Sequence, residues 1–218
     1  MLLPTQLERG PASGRERILV AAAARFAELG YSETSLRLIA ADVEMKAGSL
    51  YYHFESKDDL ILSVLRRGIG LMMEAFMSTE QLEAVEPDEV DGRERLGAHV
   101  IAHLRVLHRN FEFTSLHVNT FRTAPPAVRA TIVPERDEYE AKWTLLLRSL
   151  LPLQSDEEIG ILRLVLFGAM NSSIEWFDAE RGSLDAFAEV ITDQFWYGAA
   201  FAEVIPTSAG VARPIGTL

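Results

Sequence analysis

The chain has 218 residues, of which 48% are apolar, enough for one large packed domain or two small ones. It contains no cysteine, which excludes disulfides, thiolate zinc sites and a cysteine nucleophile and fits a reducing cytoplasm. The net charge is −11, yet residues 1–67 carry nine Lys/Arg and nine Asp/Glu, so all the excess acidity lies beyond them. A neutral N-terminal region can bind DNA if its cations share one face, with modest, salt-sensitive non-specific affinity. No apolar run approaches the roughly 18 residues of a membrane helix. The run from Ile18 to Ala24 continues with helical periodicity to Leu29 and is not read as a signal-peptide core.

Residues 1–14 hold Pro4, Gly10, Pro11 and Gly14 without periodicity and read as a flexible tail. Ile18, Ala22, Phe26 and Leu29 mark one helix face, stopped by Gly30. Thr34 or Ser35 caps a short second helix with Leu36, Ile39, Ala40 and Val43 inward. A third begins near Lys46 and buries Ala47, Leu50 and Phe54. Ser56 caps a fourth, reaching about Met77. Residues 78–92, acidic with Pro87 and Gly92, read as a loop. Helical patterns resume over 93–109, 113–123, 127–151, 155–178 and 183–204, and Pro134 should kink the third of these or mark its start. Residues 205–218 read as a second flexible tail. No strand alternation appears, so the fold class is all-α.

Three short helices in about 40 residues, the last two joined by a tight turn, are the pattern of a helix-turn-helix. On the third helix, Lys46, Ser49, Tyr52 and His53 lie opposite the buried face. Tyr51 and Tyr52 are neighbours and cannot both face one core. Lysine neutralises phosphate, while Ser and Tyr hydroxyls reach phosphates or base edges. Lys57, in the first turn of the next helix, lies within reach of a backbone phosphate.

The run Thr34-Ser35-Leu36-Arg37-Leu38-Ile39-Ala40, then Gly48-Ser49-Leu50-Tyr51-Tyr52-His53-Phe54, then Ser56-Lys57-Asp58-Asp59-Leu60, resembles the tetracycline-repressor (TetR) family of bacterial regulators. The likeness covers about residues 15–65. It implies that Ser35, Tyr51, His53 and Lys57 hold phosphates while Arg37, Lys46, Ser49 and Tyr52 lie where bases are read. It also implies a DNA-binding domain over 15–62 and a helical ligand-binding and dimerisation domain over 63–204. Two positions depart from the family pattern. Glu44 stands where glycine usually supplies a positive φ, and Ala47 stands where lysine is common.

Beyond the head, Ile159, Leu162, Leu166, Met170, Ile174 and Phe177, then Phe187, Val190, Ile191, Phe195 and Phe201, make 159–177 and 184–201 strongly apolar. By resemblance these two helices pair with their two-fold mates in a homodimer; an intramolecular core is the alternative. Asn171-Ser172-Ser173-Ile174-Glu175-Trp176-Phe177 puts polar groups into an apolar helix, where they need partners, water or ligand. The segment is similar to one in TetR-type sensors of acyl-CoA thioesters, but Glu175 and Asp178 stand where arginine often does. An uncharged or cationic hydrophobic ligand is the competing expectation.

His99 and His103 share a helix face at i, i+4, a spacing that could seat a metal, though no carboxylate pattern completes such a site. The preferred pocket has His99, His103 and Phe121 on one wall and Phe167, Asn171 and Trp176 on the other. No nucleophile elbow, phosphate loop or carboxylate pair points to an enzyme, and no cofactor is implied. The expected protein is a cytoplasmic regulator, with repression as the expected mode. It binds a palindromic double-stranded DNA operator, is released by a small hydrophobic effector and makes no membrane contact.

Overall fold

A computed structural model describes residues 13–83 and 91–200. Residues 1–12, the Pro87 segment and residues 201–218, Phe201 among them, lie outside the described residues; Ser13 and Gly14, expected at the end of the first tail, instead cap and open a helix. Among these residues the chain forms nine α-helices and no strand.

The first helix, α1 (Gly14–Glu33), is capped by Ser13, whose Oγ accepts from the Glu16 amide. Gly30 interrupts its helical dihedrals at φ 74°, and the Thr34 hydroxyl closes the break by donating to the Gly30 carbonyl. Ser35 caps α2 (Leu36–Asp42). The recognition segment is shorter than the periodicity predicts: α3 covers Ala47–Leu50, and the chain then turns so that Phe54 drops into the core. The next helix, α4 (Lys57–Glu83), opens on Ser56, whose Oγ accepts from the Asp59 amide.

That fourth helix runs through much of the expected loop. Glu80, Gln81, Leu82 and Glu83 are good helix formers, so acidity there marks a solvated helix face. Asp91 caps α5 (Gly92–Arg109) through bonds from the Arg93 and Glu94 amides. The helix expected over 113–123 is instead α6 (Phe111–Ser115), a π turn over Leu116–Thr120 and a 3-10 turn over Phe121–Thr123. The widened turn lets Phe113 and Leu116 enter the head core while His117 reaches the backbone of α4.

Pro134 neither starts nor ends α7 (Pro126–Leu150). Before it, Val128 and Ile132 pack into one core; after it, Tyr139, Trp143, Leu146 and Leu147 pack into the other. A full capping box, Ser155 with Glu158, opens α8 (Asp156–Trp176), and α9 (Leu184–Ala200) lies against α5. Arg93 fixes that last pairing through Glu189 and Asp193.

The first core joins α1 to α4 with Phe113, Leu116, Ala124, Val128 and Ile132. The N-terminal head is therefore packed directly on the segment that follows α5. The second core lies between α4, α5, α7, α8 and α9, around the fully buried Trp143.

Candidate nucleic-acid interface and internal cavity

The turn between α2 and α3 is a Schellman closure. The Glu44 amide donates to the Ala41 carbonyl (3.1 Å) and the Met45 amide to the Ala40 carbonyl (2.9 Å). This places Glu44 in the left-handed region at φ 56°, a conformation that favours glycine. The turn thus keeps the geometry that a glycine would give, with an exposed carboxylate attached.

Beyond this turn, Lys46, Ser49, Tyr51 and Tyr52 are all exposed, Tyr52 most fully at 88%. His53 is half-buried with its ring edge-on to Tyr52, 5.2 Å between centroids. Arg37 is exposed on α2, and Ser35, also exposed, spends its hydroxyl oxygen on the cap of that helix. Lys57 is different. Its ammonium sits 4.1 Å over the Tyr31 ring and 3.4 Å from the Ser32 carbonyl, and burial moves its pKa down. Tyr31 in turn donates to Asp58. Lys57 is thus partly engaged within the head.

The internal cavity encloses about 60 Å³ between α4, α5, α6, the π turn, α7 and α8. Ile69, Met72, Leu107, Val118 and Phe167 supply its apolar wall. Its polar wall is built on His103. Nδ1 lies 2.8 Å from the Tyr139 hydroxyl and Nε2 lies 3.2 Å from Asn171 Oδ1. Burial holds the His103 pKa down at about 4, so the ring is neutral near pH 7, and burial pushes the Tyr139 phenol up. A neutral ring with Nε2–H donating to Asn171 and Nδ1 accepting from Tyr139 satisfies every member.

The structure brings together three of the six residues expected to line the pocket: His103, Phe167 and Asn171. The other three lie elsewhere. His99 faces the aromatic core, 4.5 Å from the Phe76 ring, with Nδ1 donating to the Arg95 carbonyl. Phe121 packs against the head core beneath Arg136. Trp176 is 57% exposed and stacks edge-on against Phe187 at the α8–α9 corner. The i, i+4 histidines therefore do not share a site: His103 commits both ring nitrogens to Tyr139 and Asn171, and His99 commits Nδ1 to the Arg95 carbonyl.

Sequence reasoning missed Tyr139, His117, Thr114, Arg136 and Glu140. Tyr139 and Trp143 follow Pro134, where the sequence predicts a kink or a helix start, and no local signal marks the others. The polar run on α8 finds partners on α5: Asn171 meets His103, while Ser173 accepts from His108 and donates to the Met170 carbonyl. Among the described residues no group of three metal-ligating side chains gathers, and no helix is long and apolar enough to cross a membrane.

Residues 18–64 match the family model of bacterial regulatory proteins of the tetR family, and residues 89–198 match a tetracyclin repressor-like C-terminal domain. The chain belongs to the TetR family. As a family member it is a helix-turn-helix transcriptional regulator. It is 26% identical over 141 residues to the transcriptional repressor KstR2 of Rhodococcus jostii, covering 64% of this chain and 66% of that one. Matches to curated relatives span less than two thirds of the relative's own length, from 27% to 66%. A TetR-family regulator from Bordetella parapertussis superposes with a TM-score of 0.73 at 24% identity, covering 83% of this chain and 93% of that one. AibR, solved with isovaleryl coenzyme A and operator DNA, superposes with a TM-score of 0.70 at 22% identity, over 83% and 96%. These two likenesses show the fold.

Proposed function

We propose that this regulator is a homodimeric repressor of a palindromic operator, released when a small apolar effector occupies the cavity around His103. The observation that carries the reading is the cavity's contact with α4. Ile69 and Met72 of α4 form part of its wall, and the same helix begins at Lys57 in the DNA head. An effector that reshapes the wall acts on the rod that orients the head. The two heads of a dimer must span one helical turn of DNA or a multiple, about 34–36 Å for adjacent half-sites. A hundredfold release needs about 2.7 kcal/mol of coupling between the two sites.

The proposed DNA contacts are Ser35, Arg37, Lys46, Ser49, Tyr51, Tyr52, His53 and Lys57. Dimerisation is supported by a second apolar stripe on α8, where Ile161, Leu164 and Val165 are exposed while Ile159, Leu166 and Met170 are buried. A helix that is apolar on both faces is stable when both are covered; with Val190 and Tyr197 of α9, this stripe is the face a second copy would cover. The effector class is small and apolar at its buried end. A cavity of about 60 Å³ holds only a few water-sized groups, so a short acyl group fits, free or as a coenzyme A thioester. The AibR complex with isovaleryl coenzyme A supports the effector class, and the KstR2 repressors support repression as the mode.

The test is a mobility shift with the DNA upstream of the gene, titrated with short-chain acids and their thioesters. Phe167→Trp, which fills the cavity, should leave operator binding intact and abolish release. Release unchanged in that variant would refute the cavity as the effector site.

A further inference from the structure

On the cavity wall, two groups have capacity that the protein does not use. His117 stands in the π turn, and its Nε2–H donates to the Leu65 carbonyl of α4 at 2.7 Å. A carbonyl cannot donate, so the neutral ring carries its proton on Nε2 and Nδ1 is an acceptor. That Nδ1 is buried without a hydrogen-bond partner. Burial also holds the His117 pKa down at about 4, with the nearby Arg136 charge acting in the same direction. The second group is Arg136 itself, on the same wall. Its guanidinium lies over the Phe121 ring at 4.2 Å and has no carboxylate partner among the described residues.

A buried acceptor left unmatched costs free energy, so a ligand that supplies a donor there gains more than an ordinary hydrogen bond. A π turn is itself an uncommon backbone state that recurs at functional sites. Here it holds the ring between the cavity and α4. Gly68 makes room for it: a Cβ on that residue would lie 2.6 Å from the Phe113 carbonyl and 3.1 Å from the His117 ring.

We infer that the effector carries a short hydroxyacyl group, its hydroxyl donating to His117 Nδ1 and its carbonyl or carboxylate oxygen accepting from Arg136, with the hydrocarbon against Met72, Leu107 and Phe167. This rests on the reading of the cavity as the effector site. The same group is presented by a free hydroxy acid and by its thioester.

Calorimetric titration of the full chain with 3-hydroxybutyrate, butyrate and the coenzyme A thioesters of both tests it. The hydroxylated member of one pair should bind at least about tenfold tighter than its deoxy partner. The pair that binds identifies free acid or thioester as the source. His117→Phe should erase the hydroxyl preference. His117→Gln, whose amide can both donate to Leu65 and accept from a ligand, should keep part of it. In the unsubstituted protein, the ¹⁵N resonance of His117 Nδ1 should move with the hydroxylated ligand alone, a readout that does not depend on either variant folding. Equal affinity within both pairs, a preference that survives His117→Phe, an unmoved resonance or no binding by any of the four would each overturn the inference. Equal binding of deoxy and hydroxy ligands leaves the cavity reading standing. That reading fails separately, if Phe167→Trp does not affect release of DNA.

Discussion

Glu44→Gly should make the protein more stable and change its DNA affinity much less. The side chain is exposed and makes no ion pair or hydrogen bond among the described residues, so its removal costs no packing. The backbone stays, because both Schellman bonds are made by main-chain amides, to Ala41 and Ala40. A left-handed φ at a non-glycine residue costs roughly 1–2 kcal/mol. Glycine returns part of that through the greater freedom of its unfolded chain, leaving a net gain of about 1 kcal/mol. For a chain of this length that raises the melting temperature by about 2–4 °C. The charge effect is smaller. A carboxylate roughly 10 Å from a phosphate is worth about 0.4 kcal/mol in water before screening, less than a twofold change in operator affinity. Two further substitutions separate the terms. Glu44→Gln removes the charge and keeps the strain, so its melting temperature should match wild type. Glu44→Asn, whose side chain tolerates the left-handed region, should fall between Gln and Gly. Thermal and urea denaturation, with operator titration at two salt concentrations, measure all three. A Gly variant no more stable than wild type would refute the strain argument.

Four further outcomes follow from the geometry. Tyr52→Ala should leave the melting temperature unchanged while abolishing operator recognition in a mobility shift. Lys57→Ala should both weaken binding to all sequences and destabilise the head by about 1 kcal/mol, because it loses the Tyr31 ring contact. Leu164→Glu, at a position 63% exposed in the single chain, should give a folded monomer in analytical ultracentrifugation, with wild type expected to sediment as a dimer. His103 and His117 both have folded pKa values near 4 against about 6.5 unfolded. The unfolded chain therefore binds protons first as pH falls. Stability should be complete above about pH 6.5 and decline toward pH 4, at up to about 1.4 kcal/mol per pH unit for each histidine. Urea midpoints from pH 7.5 to 4.5 follow this decline, and a flat profile would contradict the buried, neutral rings.

The DNA head was legible because its signals are local. Ser35 and Ser56 cap the helices that follow them, Ile39, Ala40, Leu50 and Phe54 fall at helical spacing, and the Gly48 to Phe54 run occupies consecutive positions. Glu44 shows the strength of that locality: the turn geometry survives although the residue that usually permits it is absent. The segment after α5 was not legible. A π turn widens the helix by one residue, so periodicity read at 3.6 residues per turn loses its phase there: His117 lines the cavity, while Phe121, four residues on, packs against the head core.

The cavity tests a different limit. His103 and Asn171 are 68 positions apart in the chain, and His108 and Ser173 are 65 apart. Each looked anomalous alone: histidines on an apolar helix, and polar residues on another. Read together they resolve each other, since α5 and α8 pack against one another and the two polar sets meet across that contact. Satisfied polar groups of this kind position the wall and are not free to bind. The capacity left over on the cavity wall belongs to His117, in the π turn, and Arg136, on α7. The His117 acceptor stays unspent because the π turn sets its ring between the cavity and α4, with the other ring nitrogen committed to Leu65.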